Sequence, residues 1–215
     1  MSAIKEALSQ LLVELPEKVT LVAVSKTKPA TAILEAYSFG QRDFGENKVQ
    51  ELVEKWETLP KDINWHMIGH LQRNKVKYIA PFVHLIHGID SLRLLEEVNK
   101  QGAKIGRKIA VLLQVHIAEE ETKFGLDTSE LKTIFSLLHT LNHIEVKGLM
   151  GMATFTSNQD QIRGEFIKLK SLFDSFQSSF SPPPILSMGM SGDYQIALEE
   201  GSTLIRIGSS LFGSR

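Results

Sequence analysis

The sequence predicts an α/β protein built as a (β/α)8 barrel of the TIM type, a single domain over residues 1–215 with one extra helix at its start. Three observations carry this. Strand-type and helix-type apolar patterns alternate along nearly the whole chain in about eight units, with no long linker, low-complexity tract or repeat. The length fits, since such barrels form one domain at roughly 200–250 residues. No G-x-G-x-x-G follows the first strand, which counts against a doubly wound open sheet, the main competitor.

The extra helix carries Ile4, Leu8, Leu11 and Leu12 at helical spacing and closes at Pro16. The apolar run from Leu21 ends at Lys26 as the first strand, and Pro29 punctuates the segment. Ala30 to Tyr37 reads as a helix stopped by Gly40. Asp43 to Asn47 is too short to show a period but lies between helical stretches, the second of which carries Val49, Leu52, Val53 and Trp56. A strand from Ile63 to Ile68, a basic helical stretch from Gln72 to Tyr78 and a strand over Val83–Ile86 follow. Ser91 suits the N-cap of a helix with Leu92, Leu95 and Val98. Ile109 to Leu113 is the apolar run of a buried strand, and Asp127-Thr-Ser-Glu130 resembles a capping box ahead of Leu131, Ile134, Phe135 and Leu138. Val146–Met150 is the next strand. A long helix from Ile162 to Phe176 ends before the Ser181-Pro-Pro-Pro184 breaker. Ile185–Met188, a short helix from Ser191 to Glu199 and Thr203–Ile207 complete the pattern.

With a formal net charge of −1, no global field points to nucleic acid or acidic membranes, and the basic run Arg73, Lys75 and Lys77 reads as a solvated helix face. The absence of cysteine excludes disulfides and thiolate metal sites and fits a reducing compartment. Neither a signal-peptide pattern nor about eighteen consecutive apolar residues is present, so a cytoplasmic location is expected.

Barrel chemistry sits at the C-terminal ends of the strands, often with a phosphate site after strands seven and eight. Lys26 ends the first strand, where desolvation can lower an amine's pKa and make it a nucleophile; a lysine snorkelling at a strand end is the structural alternative. The two late loops read Ser187-Met-Gly-Met-Ser-Gly-Asp193 and Arg206-Ile-Gly-Ser-Ser210, offering backbone N–H groups and hydroxyls to an anion, or simply turn chemistry. Ser191 is expected to open a helix whose N-terminus favours phosphate. Arg206, within the last strand, needs either a structural ion pair or a ligand. His66 and His70 bracket a strand end without a third ligand, and His84 and His87 fall on opposite faces of one expected strand, so no metal is expected. Glu119, Glu120 and Glu121 read as a solvated loop before Lys123.

Six motifs occur in order: Ala-Val-Ser-Lys-Thr-Lys-Pro (23–29), Phe-Gly-Glu-Asn-Lys-Val-Gln-Glu (44–51), Trp-His-Met-Ile-Gly-His-Leu-Gln (65–72), Gly-Leu-Met (148–150), Ser-Met-Gly-Met-Ser-Gly-Asp (187–193) and Ile-Arg-Ile-Gly-Ser (205–209). Together they closely resemble the pyridoxal phosphate homeostasis protein family, which is similar to the N-terminal barrel of alanine racemase and binds pyridoxal 5′-phosphate (PLP). The resemblance implies Lys26 as the Schiff-base lysine, and Ser191, Gly208 and Ser209 on the phosphate, with Met190 and Gly192 beside it. It implies Arg206 facing the pyridine nitrogen, Asn47, His66 and Met150 lining the ring, and a contribution from Ser187. The family usually has Thr where Ser209 stands, which keeps the hydroxyl, and residues 151–154 depart somewhat from its wording.

What this implies is a PLP carrier that buffers the cofactor and hands it to apo enzymes, affecting amino-acid and keto-acid metabolism. The alternatives are an amino-acid racemase and, further off, a PLP-free Schiff-base aldolase. Racemases of this fold draw a second base, a tyrosine, from an appended domain of the partner subunit. This sequence stops after the eighth strand, so neither that domain nor its dimer is expected, and a monomer is.

Overall fold

Eight short apolar runs, each followed by a helix-forming stretch, can bury both faces only by lying side by side under a ring of helices. The structure, a computed structural model, describes residues 2–119 and 124–213 and takes that form; Glu120, Glu121 and Lys123 lie outside the described residues. Strands β1 (Thr20–Val24), β2 (Asp43–Glu46), β3 (Asn64–Met67), β4 (Leu85–Ile89), β5 (Ile109–Gln114), β6 (Ile144–Met150), β7 (Ile185–Met190) and β8 (Leu204–Ile207) form one closed barrel in chain order. All pairs are parallel, and β8 returns to β1 with Val22 opposite Arg206. Helices α2 (Ala30–Ser38), α3 (Val49–Thr58), α4 (Val76–Ile79), α5 (Leu92–Ile105), α6 (Thr128–Leu137), α7 (Gln159–Ser175), α8 (Tyr194–Glu199) and α9 (Ser209–Phe212) follow the strands, and α1 (Ala3–Glu14) is the extra N-terminal helix.

Alternation along each strand divides the core. Leu21, Phe44, Trp65, Ile205 and Ile207 point outward into one apolar layer with Leu8, Leu52 and Phe166 of the helices. Val22, Leu85, Leu112, Met150 and Leu204 form a smaller cluster on the inner side. The capping box at Asp127 is complete, and Ser91 accepts from the Leu94 N–H as an N-cap should.

Several boundaries differ from expectation: β1 ends at Val24 rather than Lys26, β6 starts at Ile144 rather than Val146, the α-helix expected over Gln72–Tyr78 is confined to Val76–Ile79, and three further cases have a local cause. The strand Asp43–Glu46 shows no apolar period because it carries one large apolar side chain; pairing with both β1 and β3 makes it a strand. The fourth strand starts at Leu85 rather than Val83, because the Val83 N–H still closes the preceding helical turn onto the Ile79 carbonyl. The helix expected from Ser191 begins at Tyr194, because Met190 and Asp193 are joined in a tight turn by the Asp193 N–H to Met190 carbonyl bond.

Two glycines give opposite tests of the packing. Gly148 has φ of +156°, and a Cβ there would lie 1.9 Å from the Ile185 carbonyl oxygen of the paired strand. Gly164 lies exposed within α7 with nothing within 4 Å of a built Cβ. Gly148→Ala should therefore destabilise the barrel by about 1–3 kcal/mol or more, and Gly164→Ala should stabilise it by roughly 0.5–1 kcal/mol. Urea denaturation midpoints moving in opposite directions are the expected result.

Candidate functional site

Lys26 lies two residues beyond β1, on a loop held from below by buried charge. The Lys55 ammonium of α3 donates to the Ser25 carbonyl (2.8 Å), Glu46 Oε1 (2.8 Å) and Glu51 Oε1 (2.7 Å). Ser25 Oγ donates to the same Glu46 oxygen at 2.6 Å. Burial pushes the Glu46 carboxyl above its usual range, with the hydrogen bonds from Lys55 and Ser25 working against it. Burial also acts to raise Glu51, but the bonds from Lys55 and the Thr27 N–H outweigh it and leave that carboxyl below its usual range. The Thr27 N–H donates to Glu51 Oε1 at 2.6 Å, and Thr27 is held at φ +65°, a left-handed conformation that disfavours a β-branched residue. Lys28 Nζ is tied to the Phe212 and Gly213 carbonyls at 2.9 and 3.1 Å. Of the two loop lysines, Lys26 alone has an amine without a hydrogen bond or ion pair among the described residues, and it faces a cavity of about 630 Å³.

The far wall comes from the loops after β7 and β8. The Met190 N–H donates to Asp193 Oδ1 at 2.6 Å, closing the first loop on itself. The Gly208 N–H donates to Ser191 Oγ at 3.3 Å, so the two loops touch. Gly208 also presses on Val24, 3.3 Å from where a Cβ would stand, which brings the β8 loop against the end of β1. Ser191, Gly192, Ser209 and Ser210 line the cavity with hydroxyls and backbone N–H groups.

Arg206 forms the floor. It donates to Ser187 Oγ, to the Ser187 carbonyl at 3.2 Å and to the Gly151 carbonyl at 3.2 Å. Burial pushes its guanidinium down to about 10, with the charge of Asp193 opposing the shift. No carboxylate reaches ion-pair distance among the described residues, so the cation is buried against neutral acceptors beside an open cavity.

Lys26, Asn47, Met190, Ser191, Gly192, Arg206, Gly208 and Ser209 are thus brought together on one cavity. His66, Met150 and Ser187 are not among its lining residues. Met150 belongs to the inner apolar cluster, and Ser187 lies fully buried against Arg206. His66 points into the barrel, with Nε2 3.0 Å from Asp43 Oδ1 and Nδ1 2.9 Å from His87 Nε2. The expected separation of His84 and His87 on one strand also fails. His84 precedes β4, and both rings approach His66, at 5.3 and 5.2 Å between centroids. His70 faces the other end of the barrel, stacked on Phe124 and bonded to Asp90. Sequence reasoning missed Thr27, Ile68, Thr154, Phe155 and Asp193 as cavity residues. The Glu51–Lys55 pair could have been found from its i,i+4 spacing on a helix.

Hydrogen-bond direction in the buried chain follows from the carboxylate at its head and the tautomers of its two histidines. Asp43 lies below its usual range: burial opposes this, but bonds from His66 and Asn64 outweigh it, so it accepts. Complete burial holds His87 far below its usual range, so it is neutral. In the tautomer with the His66 proton on Nε2, His66 Nε2–H donates to Asp43, His87 Nε2–H donates to His66 Nδ1, and Ser187 O–H donates to His87 Nδ1 at 3.3 Å.

Glu51→Ala should remove the Thr27 acceptor and one Lys55 partner. We expect a loss of about 1.5–3 kcal/mol in chemical denaturation, with faster amide exchange at Thr27 and no change of exchange in α6.

The family model for the N-terminal domain of alanine racemase matches residues 1–215. The pyridoxal phosphate homeostasis protein of Aquifex aeolicus is 42% identical, with 91% of this chain and 86% of that protein aligned. That of Escherichia coli K12 is 37% identical over 93% and 87%. Among solved structures, PipY of Synechococcus elongatus without PLP superposes with a TM-score of 0.92 at 37% identity, covering 98% of this chain and all of that one. PipY with PLP bound gives 0.88. Alanine racemase of Bartonella henselae, at 18% identity, TM-score 0.78 and 58% of that chain covered, shares the fold.

Proposed function

The chain belongs to the pyridoxal phosphate homeostasis protein family, and on that premise we propose that it is a PLP carrier holding the cofactor as a Schiff base on Lys26. The observation that carries this reading is one cavity joining a lysine amine, a cradle of hydroxyl and N–H donors and a buried arginine, the amine and the arginine each without an ion-pair partner among the described residues. Those donor types fit the cofactor group by group: an amine for an aldehyde, Ser191, Gly208 and Ser209 for a phosphate, and Arg206 for a ring nitrogen lone pair.

When bound, PLP supplies a reactive aldehyde and an electron-withdrawing ring. The rest is done by this chain. Glu51 and Lys55 fix the turn that presents Lys26. The meeting of the Ser191 and Gly208 loops sets the phosphate cradle, and Asn47 lines the same cavity. Arg206, with its guanidinium at about 10, keeps its own proton at neutral pH and leaves the ring nitrogen a weak electron sink. That favours holding the cofactor over carbanion chemistry. The tyrosines stand elsewhere too: Tyr37 bonds Asp62, Tyr194 bonds Glu14 and Tyr78 is exposed beside Lys75 and Lys77, with none of the three lining the cavity, which speaks for a carrier over a racemase needing a second base. The carrier works as a monomer in the cytoplasm and releases PLP to apo enzymes.

Borohydride reduction of the yellow holo-protein should fix the cofactor mass on the Lys26 peptide, and Lys26→Ala should abolish it. Label on another lysine, or a colourless protein that takes up no PLP, would overturn the reading. Transfer of PLP from holo-protein to a defined apo enzyme, compared with free PLP, tests the carrier role; D-amino acids formed at useful turnover would favour the racemase instead.

Ser209→Ala should weaken PLP binding about tenfold or more, the worth of one hydrogen bond to a charged group, with Lys26 labelling retained at saturating cofactor. Equilibrium absorbance titration checks this.

A further inference from the structure

At the N-terminal mouth of the barrel, opposite the cavity, three consecutive elements bring together side chains that the PLP reading leaves without a task. Asp43 starts β2, His66 projects inward from β3, and His84 stands just ahead of β4. We propose that Asp43, His66 and His84 form a divalent transition-metal site of the zinc class.

The geometry is close to that needed. One donor atom from each residue lies within 4.8 Å of the others, and Asp43 Oδ1 and His66 Nε2 are 3.0 Å apart. Tetrahedral zinc with bonds of about 2.0 Å spaces neighbouring donors about 3.3 Å apart. Only His84 has to move. Its ring makes no hydrogen bond among the described residues and the residue is exposed, so a side-chain rotation toward the other two breaks no hydrogen bond. Two imidazoles and one carboxylate select zinc, cobalt or nickel over magnesium or calcium. His66 and Asp43 have the supporting partners that metal ligands require: His66 Nδ1 meets His87, and Asn64 Nδ2 donates to Asp43 at 3.2 Å. Two cations oppose the site from the rim, but each is held in place, Arg107 by the Ala80 and Val83 carbonyls and Lys147 by the Pro182 carbonyl.

Occupancy carries a structural signature. A metal on His66 Nε2 requires the ring proton on Nδ1, which then donates to His87 Nε2. His87 must in turn carry its proton on Nδ1, directed at Ser187. Both histidines exchange tautomers with no net proton gained or lost, so the ion at one mouth reverses the hydrogen bonds that end beside Arg206.

The test uses chelator-treated full-length protein without added PLP, which separates its outcome from that of the carrier reading. Titration with Co2+ alone should give one equivalent of uptake with visible d–d bands, displaced by Zn2+. His84→Ala and Asp43→Asn should each weaken uptake tenfold or more, with unchanged circular dichroism for His84→Ala, whose side chain lies at the surface. Long-range 15N–1H NMR should show His66 and His87 exchanging tautomers on Zn2+ addition. No uptake, uptake weakened less than tenfold by His84→Ala, or uptake without the tautomer exchange would overturn the proposal.

Discussion

The Lys55 ammonium holds three pieces of chain at once: the end of β1 through the Ser25 carbonyl, β2 through Glu46, and its own helix through Glu51. The turn that presents Lys26 to the cavity depends on that point. Without it the Glu46 carboxylate, wholly buried, would have only a serine hydroxyl to offset its desolvation, and Glu51 would be free to leave the Thr27 N–H. One oxygen of Glu46 has no hydrogen-bond partner among the described residues, so the network has little to spare. The arrangement is poor as a source of stability and good as a source of position, because a buried charge has few alternative geometries that leave it satisfied.

Much of the fold was legible in the sequence because alternation of apolar patterns is a direct consequence of burying both faces of a parallel sheet. Where the pattern failed, the cause is local. Asp43–Glu46 has a strand's pairing but not a strand's composition, so its neighbours make it one. Misplacing β4 by two residues turned His84 into a strand residue and hid its approach to His66, since a side chain's direction is lost with the register. Lys26, Arg206 and the serine loops were readable because strand ends and turn residues fix where a site lies. Membership of the buried chain was not, since Asp43, His66, His87 and Ser187 come from four different strands and share no spacing.

That chain also explains an interior less apolar than a barrel of this size allows. Val22, Leu85, Leu112, Met150 and Leu204 fill one part of the lumen, and a directional run of polar groups fills another. Each member satisfies the next, so the desolvation of one group is offset by the charge or lone pair of its neighbour. Arg206 is the end of this run nearest the cavity. Its burial against neutral acceptors leaves a positive potential that the Asp193 charge offsets in part and that a ligand entering the cavity can offset further.

The tie from Lys28 to the carbonyls of Phe212 and Gly213 spans 184 residues of sequence at its first contact. Together with the Gly208–Val24 contact it makes the cavity a property of the closed seam between first and last strand. Contacts so distant carry a high loop-closure cost and need the last strand to be present. A nascent chain lacking its final strand presents Lys26 but nothing to seat an anion opposite it. During synthesis, reactive aldehydes in the cell therefore meet a complete seat only once the ring has shut, so loading with ligand reports the finished molecule and passes over its partly made forms.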